Sequence, residues 1–306
     1  MRDAMPALLG VGADDPAVSR WNDWAFGSFL LGGALGGVFF GVLSDRIGRS
    51  KTMIITILFY SLFTCVTAFA EAPWQMVVLR FLVAMGVGGE WAVASAMVAE
   101  VMPARSRPVM SSIFHASSVG GTLMAAAAGA YIVGNPELGE SAWRWGFAIG
   151  VVPALLTVWV RWKLREPEQW VKARERGLSD DSQKPGRIVE LFQGRNLRNT
   201  LVGVSLASIG LVTFWGGHIY GKNALLREAQ KEALVVESVA PAAPKDGSDA
   251  VKKAYKASRE AALEKHKEKI KRAEMLSMVL NTIGGGLGLV LFGWISNRLG
   301  RKGAFI

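Results

Sequence analysis

Five runs of this chain carry no Asp, Glu, Lys or Arg for 19 residues or more: Trp24–Ser44, Thr52–Ala70, Pro108–Pro136, Asn199–Gly221 and Met275–Asn297. A run of that length crosses a hydrocarbon core of about 30 Å as an α-helix rising 1.5 Å per residue. Barrel strands need only half as many residues, and a backbone in lipid must satisfy its own hydrogen bonds, so helices are the expected solution. Two further spans accept charge. Gln75–Ala99 carries Arg80 and Glu90, and the 16-residue run Trp145–Val160 is flanked by Arg144 and Arg161, whose long stems can snorkel. Seven complete transmembrane helices in an all-α, polytopic membrane fold are therefore predicted.

Composition sharpens this reading at three points. The mean hydropathy of +0.27 looks mild only because charge is crowded into Arg161–Arg198 and Lys222–Glu274. One cysteine, Cys65, excludes a disulfide framework, and three scattered histidines exclude a multi-histidine metal site. No P-loop, nucleophile elbow or dinucleotide fingerprint occurs, so no cofactor and no enzyme activity are expected.

The net charge of +10 is explained by orientation rather than by nucleic acid. The connections holding Arg46, Arg49 and Lys51, then Arg105 and Arg107, then ten Lys or Arg between Arg161 and Arg198, then Arg298, Arg301 and Lys302 all fall on one side. That side is expected to be cytoplasmic, as in an inner membrane, with the C-terminus there too. The segment 222–272 then lies outside. Lys222–Glu274 has 13 basic and 9 acidic residues, and its Ala, Leu, Lys and Glu content predicts a charged helical hairpin broken around Pro241, Pro244, Asp246 and Gly247. Mixed signs and a lack of stacking aromatics make it a poor nucleic-acid binder. The first 22 residues read as a loop or as the tail of a helix.

The chain also matches itself at an offset of 252: residues 32–49 read GGALGGVFFGVLSDRIGR and residues 284–301 read GGGLGLVLFGWISNRLGR. Gly32, Gly33, Gly36, Gly41 and Gly48 coincide with Gly284, Gly285, Gly288, Gly293 and Gly300, and Ser44, Arg46 and Arg49 with Ser296, Arg298 and Arg301. Both copies end a glycine-rich span at a basic turn, which is the mark of a parallel repeat of two like-oriented bundles. Gly32, Gly36, Gly284 and Gly288 have the spacing of close helix packing.

These residues carry a family resemblance. Gly41 to Arg49 resembles the signature loop between helices two and three of the major facilitator superfamily, and Gly293 to Arg301 its weaker copy between helices eight and nine. Arg80 to Trp91, with the string Gly88, Gly89, Glu90, Trp91, followed by Glu100, Pro103, Arg105 and Arg107, is similar to helix four of the metabolite:proton and sialate:proton symporter branches. Leu164 to Trp170 resembles the acidic-proline motif after helix six. The resemblance implies a partial major-facilitator fold in which the seven spans are helices 2–8 of 12, with helix one represented by its outer end. The expected organisation is a first bundle at 1–164, a basic linker at 165–198, and the start of a second bundle at 199–306. The family's cavities are lined by helices one, four, seven and ten, so an incomplete carrier or a fragment of one is implied.

The candidate residues follow. Glu90 lies mid-span, where an ionised carboxylate is costly, so it either exchanges a proton as water access alternates or bonds a neighbouring helix. Arg80 either holds a carboxylate substrate or pairs with an acid on another helix. His115 either relays protons or packs. Gly41, Asp45, Arg46, Gly48, Arg49, Asn297, Arg298 and Arg301 form the two gating loops by resemblance, the second weaker because Asn297 replaces the aspartate. Glu100 and Arg107 are candidates for structural charge pairing, and Trp215, His218 and Tyr220 for an aromatic interface belt. The implied function is secondary active transport of a small organic anion or sugar acid by alternating access, with protons as the coupling partner and the bilayer as surroundings. The rival is a non-transporting seven-helix receptor or scaffold.

Overall fold

A computed structural model of the chain describes residues 4–12, 15–133, 136–179, 185–240 and 248–305. The predicted break at Pro241, Pro244, Asp246 and Gly247 lies outside the described residues, as do the side chains of Trp215, His218, Tyr220 and Arg301. Among the described residues the structure is helical throughout, with no strand. Two compact units emerge, one formed by Met1–Leu191 with Phe292–Ile306, the other by Phe192–Leu291.

In the first unit, α1 (Ala4–Leu9) corrects the loop reading of the N-terminal residues. Ala4 and Met5 are fully buried in a cluster with Val18, Ala25, Met76 and Trp143, which is burial enough to fix so short a helix. Next, α2 (Pro16–Ile47) begins where the sequence supplies a start signal: Asp15 Oδ1 accepts from Ala17 N at 2.7 Å, and Pro16 sets the first turn. It ends at Gly48, whose φ of 111° lets the chain turn directly into α3 (Arg49–Thr67). The repeat partner Gly300 has φ 74°, so both copies of the signature place a glycine in left-handed backbone at the same point.

The third long helix, α4 (Pro73–Val101), packs along α2 with the two backbones almost touching. A Cβ on Gly36 would lie 2.6 Å from the Met85 carbonyl carbon, and one on Gly88 would lie 2.8 Å from Gly33 Cα. Small residues permit this approach, which in lipid replaces the hydrophobic driving force with close packing. Gly284 and Gly288 differ: among the described residues nothing lies within 4 Å of a Cβ built there, so the second glycine stripe is open.

Two predicted spans are segmented. Residues 108–136 become α5 (Arg107–Ala116), α6 (Ser118–Ala128) and a wide turn, Gly129–Val133. At the break Ser117 and Ser118 hydroxyls donate to Phe114 and His115 carbonyls, each at 2.7 Å, competing with the helical ladder. The span at 145–160 is divided into α7 (Ala142–Ala148), a tight helical stretch Ile149–Leu155 containing Pro153, and α8 (Leu156–Lys163). Proline lacks the N–H that a regular helix would use there. Arg144 turns inward, donating to Ala68 O and Ala70 O at 2.6 and 2.9 Å and so satisfying carbonyls at the end of α3. The unit continues through α9 (Glu168–Ser179).

In the second unit, α10 (Gly194–Val236) runs from the predicted span at 199–221 straight into the charged segment. After it, α11 (Asp249–Lys265) returns and α12 (Lys267–Phe305) leads into the last predicted span, so the arms of the predicted hairpin continue the helices that hold the predicted spans at 199–221 and 275–297. Buried Ala229, Ala233, Leu234 and Ala262 give that region a small apolar centre. Among the described residues Pro16–Ile47, Arg49–Thr67, Pro73–Val101 and Glu268–Gly300 are each long and apolar enough to cross a membrane.

Candidate functional site

At the turn between α2 and α3, one guanidinium on α3 ties α2 to α4. Arg49 Nη1 reaches Ser44 Oγ at 2.7 Å and Asp45 Oδ1 at 2.5 Å, both on α2. Its Nη2 lies 2.7 Å from Glu100 Oε1 at the end of α4, and its Nε is within hydrogen-bond distance of the same carboxylate. The Arg49 side chain is only 10% exposed, so these partners stand in for water around a charge that is costly to desolvate alone.

The backbone of the same residue is held separately. Glu166, from the stretch between α8 and α9, accepts from Arg49 N at 2.7 Å and from Ser50 N at 3.1 Å. A carboxylate there satisfies two of the free N–H groups at a helix start and meets the positive end of its dipole. Gly48 is favoured by its positive φ, and a Cβ there would sit 2.7 Å from Glu166 Cδ and push the carboxylate from the two N–H groups. Trp170 Nε1 donates to Asp45 O at 2.8 Å, closing the cluster from α9.

The remaining loop candidates are placed differently. Gly41 has open space around it, and Arg46 of α2 is exposed. Glu100 takes Arg49 as its partner, whereas Arg107 Nη2 donates to Met102 O at 3.3 Å. In the second loop Arg298 stacks on Trp294 at 4.1 Å, one helical turn earlier, and Asn297 is exposed.

Inside the span, Glu90 and Arg80 share α4 but have separate surroundings. The Thr56 hydroxyl of α3 donates to Glu90 Oε2, linking the two helices at mid-depth. Ten residues earlier, about 15 Å along the axis, the Arg80 guanidinium lies over the Phe147 ring of α7 at 4.9 Å. Its Nε is enclosed and, among the described residues, has no hydrogen-bond partner. His115 of α5 stacks face to face on Trp91, with centroids 5.1 Å apart and planes at 20°, and its Nδ1 is likewise enclosed without a partner. The structure thus brings Asp45, Arg49 and Glu100 together and leaves Glu90, Arg80 and His115 at three separate positions.

Thr56 is absent from the residues that the sequence singles out, although a signal exists. Thr52, Thr56 and Ser61 are fully buried on α3, and polar groups recurring at four- or five-residue intervals within an apolar span mark a face turned toward protein.

Long helices packed through glycine, a buried ionic junction at one end of the spans, and lone charges at mid-span define a polytopic, all-helical membrane protein. A profile of the Major Facilitator Superfamily matches residues 14–225, and the chain belongs to that family. Among its relatives is a probable 4-methylmuconolactone transporter of Cupriavidus pinatubonensis, 31% identical over 179 residues, 58% of this chain and 40% of the relative. The sialic acid transporter NanX of Escherichia coli is 32% identical over 146 residues, 47% of this chain and 35% of that one. The chain therefore spans two fifths or less of the length of these relatives. The xylose transporter XylE from E. coli, in a partially occluded inward-open conformation, has the same fold, with a TM-score of 0.55 at 17% identity over 98% of this chain and 69% of XylE.

Proposed function

We propose that the chain forms part of a secondary carrier that moves a small organic anion or sugar acid by alternating access, coupled to protons. Arg80 is the observation that carries the reading: a guanidinium held inside a span by an aromatic ring, its Nε enclosed and without a partner among the described residues. A substrate carboxylate would satisfy it with charge-assisted hydrogen bonds in low dielectric. The transport of muconate-type and sialic acids named for relatives supports an acidic substrate.

In this reading Glu90 takes up and releases the proton, with Thr56 holding its carboxylate between turnovers, and His115 lies on the same pathway. Residues 1–164 form the first bundle, 165–198 the linker, and 199–306 the start of the second, with the basic turns and the C-terminus in the cytoplasm. The junction of Asp45, Arg49 and Glu100 holds one conformation and opens in the other, with Arg46 and the Arg298 loop beside it.

The test is binding of labelled cis,cis-muconate and sialic acid to the purified full chain. Saturable binding that is lost in Arg80→Gln, and that is accompanied by proton exchange in the wild-type chain but not in Glu90→Gln, is expected. No saturable binding of either acid by the wild-type chain overturns the organic-anion reading, and unchanged proton exchange in Glu90→Gln overturns the proton assignment.

A further inference from the structure

On α2, Leu35, Val38, Val42 and Arg46 recur at three- and four-residue intervals and so share one face. Together with Met85 of α4 and Ile188 they line an open groove of about 480 Å³ whose walls are almost wholly apolar. From Leu35 to Arg46 the groove runs 11 residues, about 16 Å along the helix, which is close to half of a 30 Å hydrocarbon core. It therefore has the length of one leaflet and ends at the membrane boundary where the ionic junction sits.

Among the described residues, no acid neutralises the charge at that end. Asp45, the adjacent acid, is committed to Arg49 at 2.5 Å. Among the described residues Arg46 makes no ion pair, and it is exposed at the mouth of the groove. The short helical stretch Ile188–Phe192 lies at the same level, and within it Ile188, Val189 and Leu191 are between 43% and 60% exposed. Apolar side chains standing out beside a basic boundary are the composition of an interfacial anchor.

We infer that this groove holds an anionic phospholipid of the leaflet on the Arg46 side, with one acyl chain along Leu35 to Val42 and the phosphate on the Arg46 guanidinium. Charge and length select the occupant together. An apolar partner helix would need no cation at the boundary, and a free phosphate would not use the apolar walls. A bidentate guanidinium–phosphate contact favours arginine at this position over lysine. The site would tie α2 to the lipid composition of that leaflet independently of any transport substrate.

Native mass spectrometry of the purified full chain, titrated with phosphatidylglycerol and with phosphatidylcholine of the same acyl chains, tests this. One tightly retained phosphatidylglycerol, preferred over phosphatidylcholine by about tenfold, corresponds to 1.4 kcal/mol for the charge-assisted contact. Arg46→Gln should abolish that preference while leaving the helical circular dichroism unchanged. Val42→Trp, which fills the groove, should reduce retention of both lipids. Equal retention of the two lipids by the wild-type chain overturns the inference, as does an undiminished preference in Arg46→Gln. A dimer that excludes lipid, with cross-links through residue 38 or 42, overturns it in favour of a second copy as occupant.

Discussion

Arg49 and Glu100 meet at 2.7 Å across the junction of α3 and α4, with both side chains largely removed from solvent. The pair joins the first turn of one span to the last turn of another, and Asp45 supplies a second carboxylate to the same guanidinium. Removing Glu100 leaves Arg49 with Asp45 and Ser44 alone. Glu100→Gln is expected to lower stability by about 1.5–3 kcal/mol, the range for a hydrogen bond to a charged group. Thermal unfolding in detergent should show it, and Glu100→Asp should recover part of the loss. No change in melting would mean that the pair contributes nothing net.

Glu166 acts on the backbone rather than on a charge. Its two oxygens take the N–H groups of Arg49 and Ser50, the role of an N-cap supplied from 116 residues away in sequence. Glu166→Ala should cost about 0.5–2 kcal/mol, as loss of an ordinary cap does. Hydrogen exchange should accelerate at the amides of residues 49–52 and remain unchanged in the middle of α4. Uniform acceleration would instead indicate general unfolding.

This cap also marks the limit of what the sequence reveals. Span positions, the repeat, and close packing at Gly32 and Gly36 are legible because each is a local pattern: charge-free length, self-match, small residues at fixed spacing; which helix the glycines meet is not. The acidic-proline stretch is recognisable as a motif, but its carboxylate acts on a backbone more than a hundred residues away, a contact that no local periodicity encodes. Glu90 is visible as a charge in the wrong place, yet its donor Thr56 is visible only as one polar member of a buried stripe. The breaks at Ser117 and Pro153 escape a reading based on uncharged length, because length is blind to hydroxyls and prolines that compete with the helical ladder.

The glycine contact separates two superficially alike positions. Gly36→Ala would force its methyl group into the Met85 backbone, and it should destabilise by about 1–3 kcal/mol through overpacking. Gly41→Ala meets nothing within 4 Å and should be neutral or stabilising by up to about 1 kcal/mol from helix propensity. Parallel melting curves for the two variants check this. Equal effects would contradict the close approach of α2 and α4.

Thr56→Val keeps shape and removes the hydroxyl that donates to Glu90. The carboxylate then loses a partner at mid-span, and a cost of about 1–3 kcal/mol is expected from leaving it unsatisfied. The double variant Thr56→Val with Glu90→Leu removes both polar partners and should be more stable than the single variant. A thermal double-mutant cycle that shows simple additivity would mean that the two side chains do not interact.

The charged segment joining α10 to α12 provides a pH prediction. Glu232 is held below the usual carboxylate range by its hydrogen bond from Lys269 at 2.5 Å, and Glu237 by hydrogen bonds from Lys265 and His266. A carboxylate whose pKa is depressed on folding stabilises the fold above its unfolded value, about 4.3, and loses that contribution as pH falls through the folded value. The contribution of these carboxylates to the pairing of α10 with α11 and the start of α12 should therefore weaken as pH falls below about 4. Carboxyl NMR titration of the hairpin reads this directly. Lys269→Met should return Glu232 to an ordinary midpoint near 4.3 and leave Glu237 depressed, because Lys265 and His266 remain its partners. A Glu232 midpoint that does not move in Lys269→Met would show that the ion pair does not persist in solution.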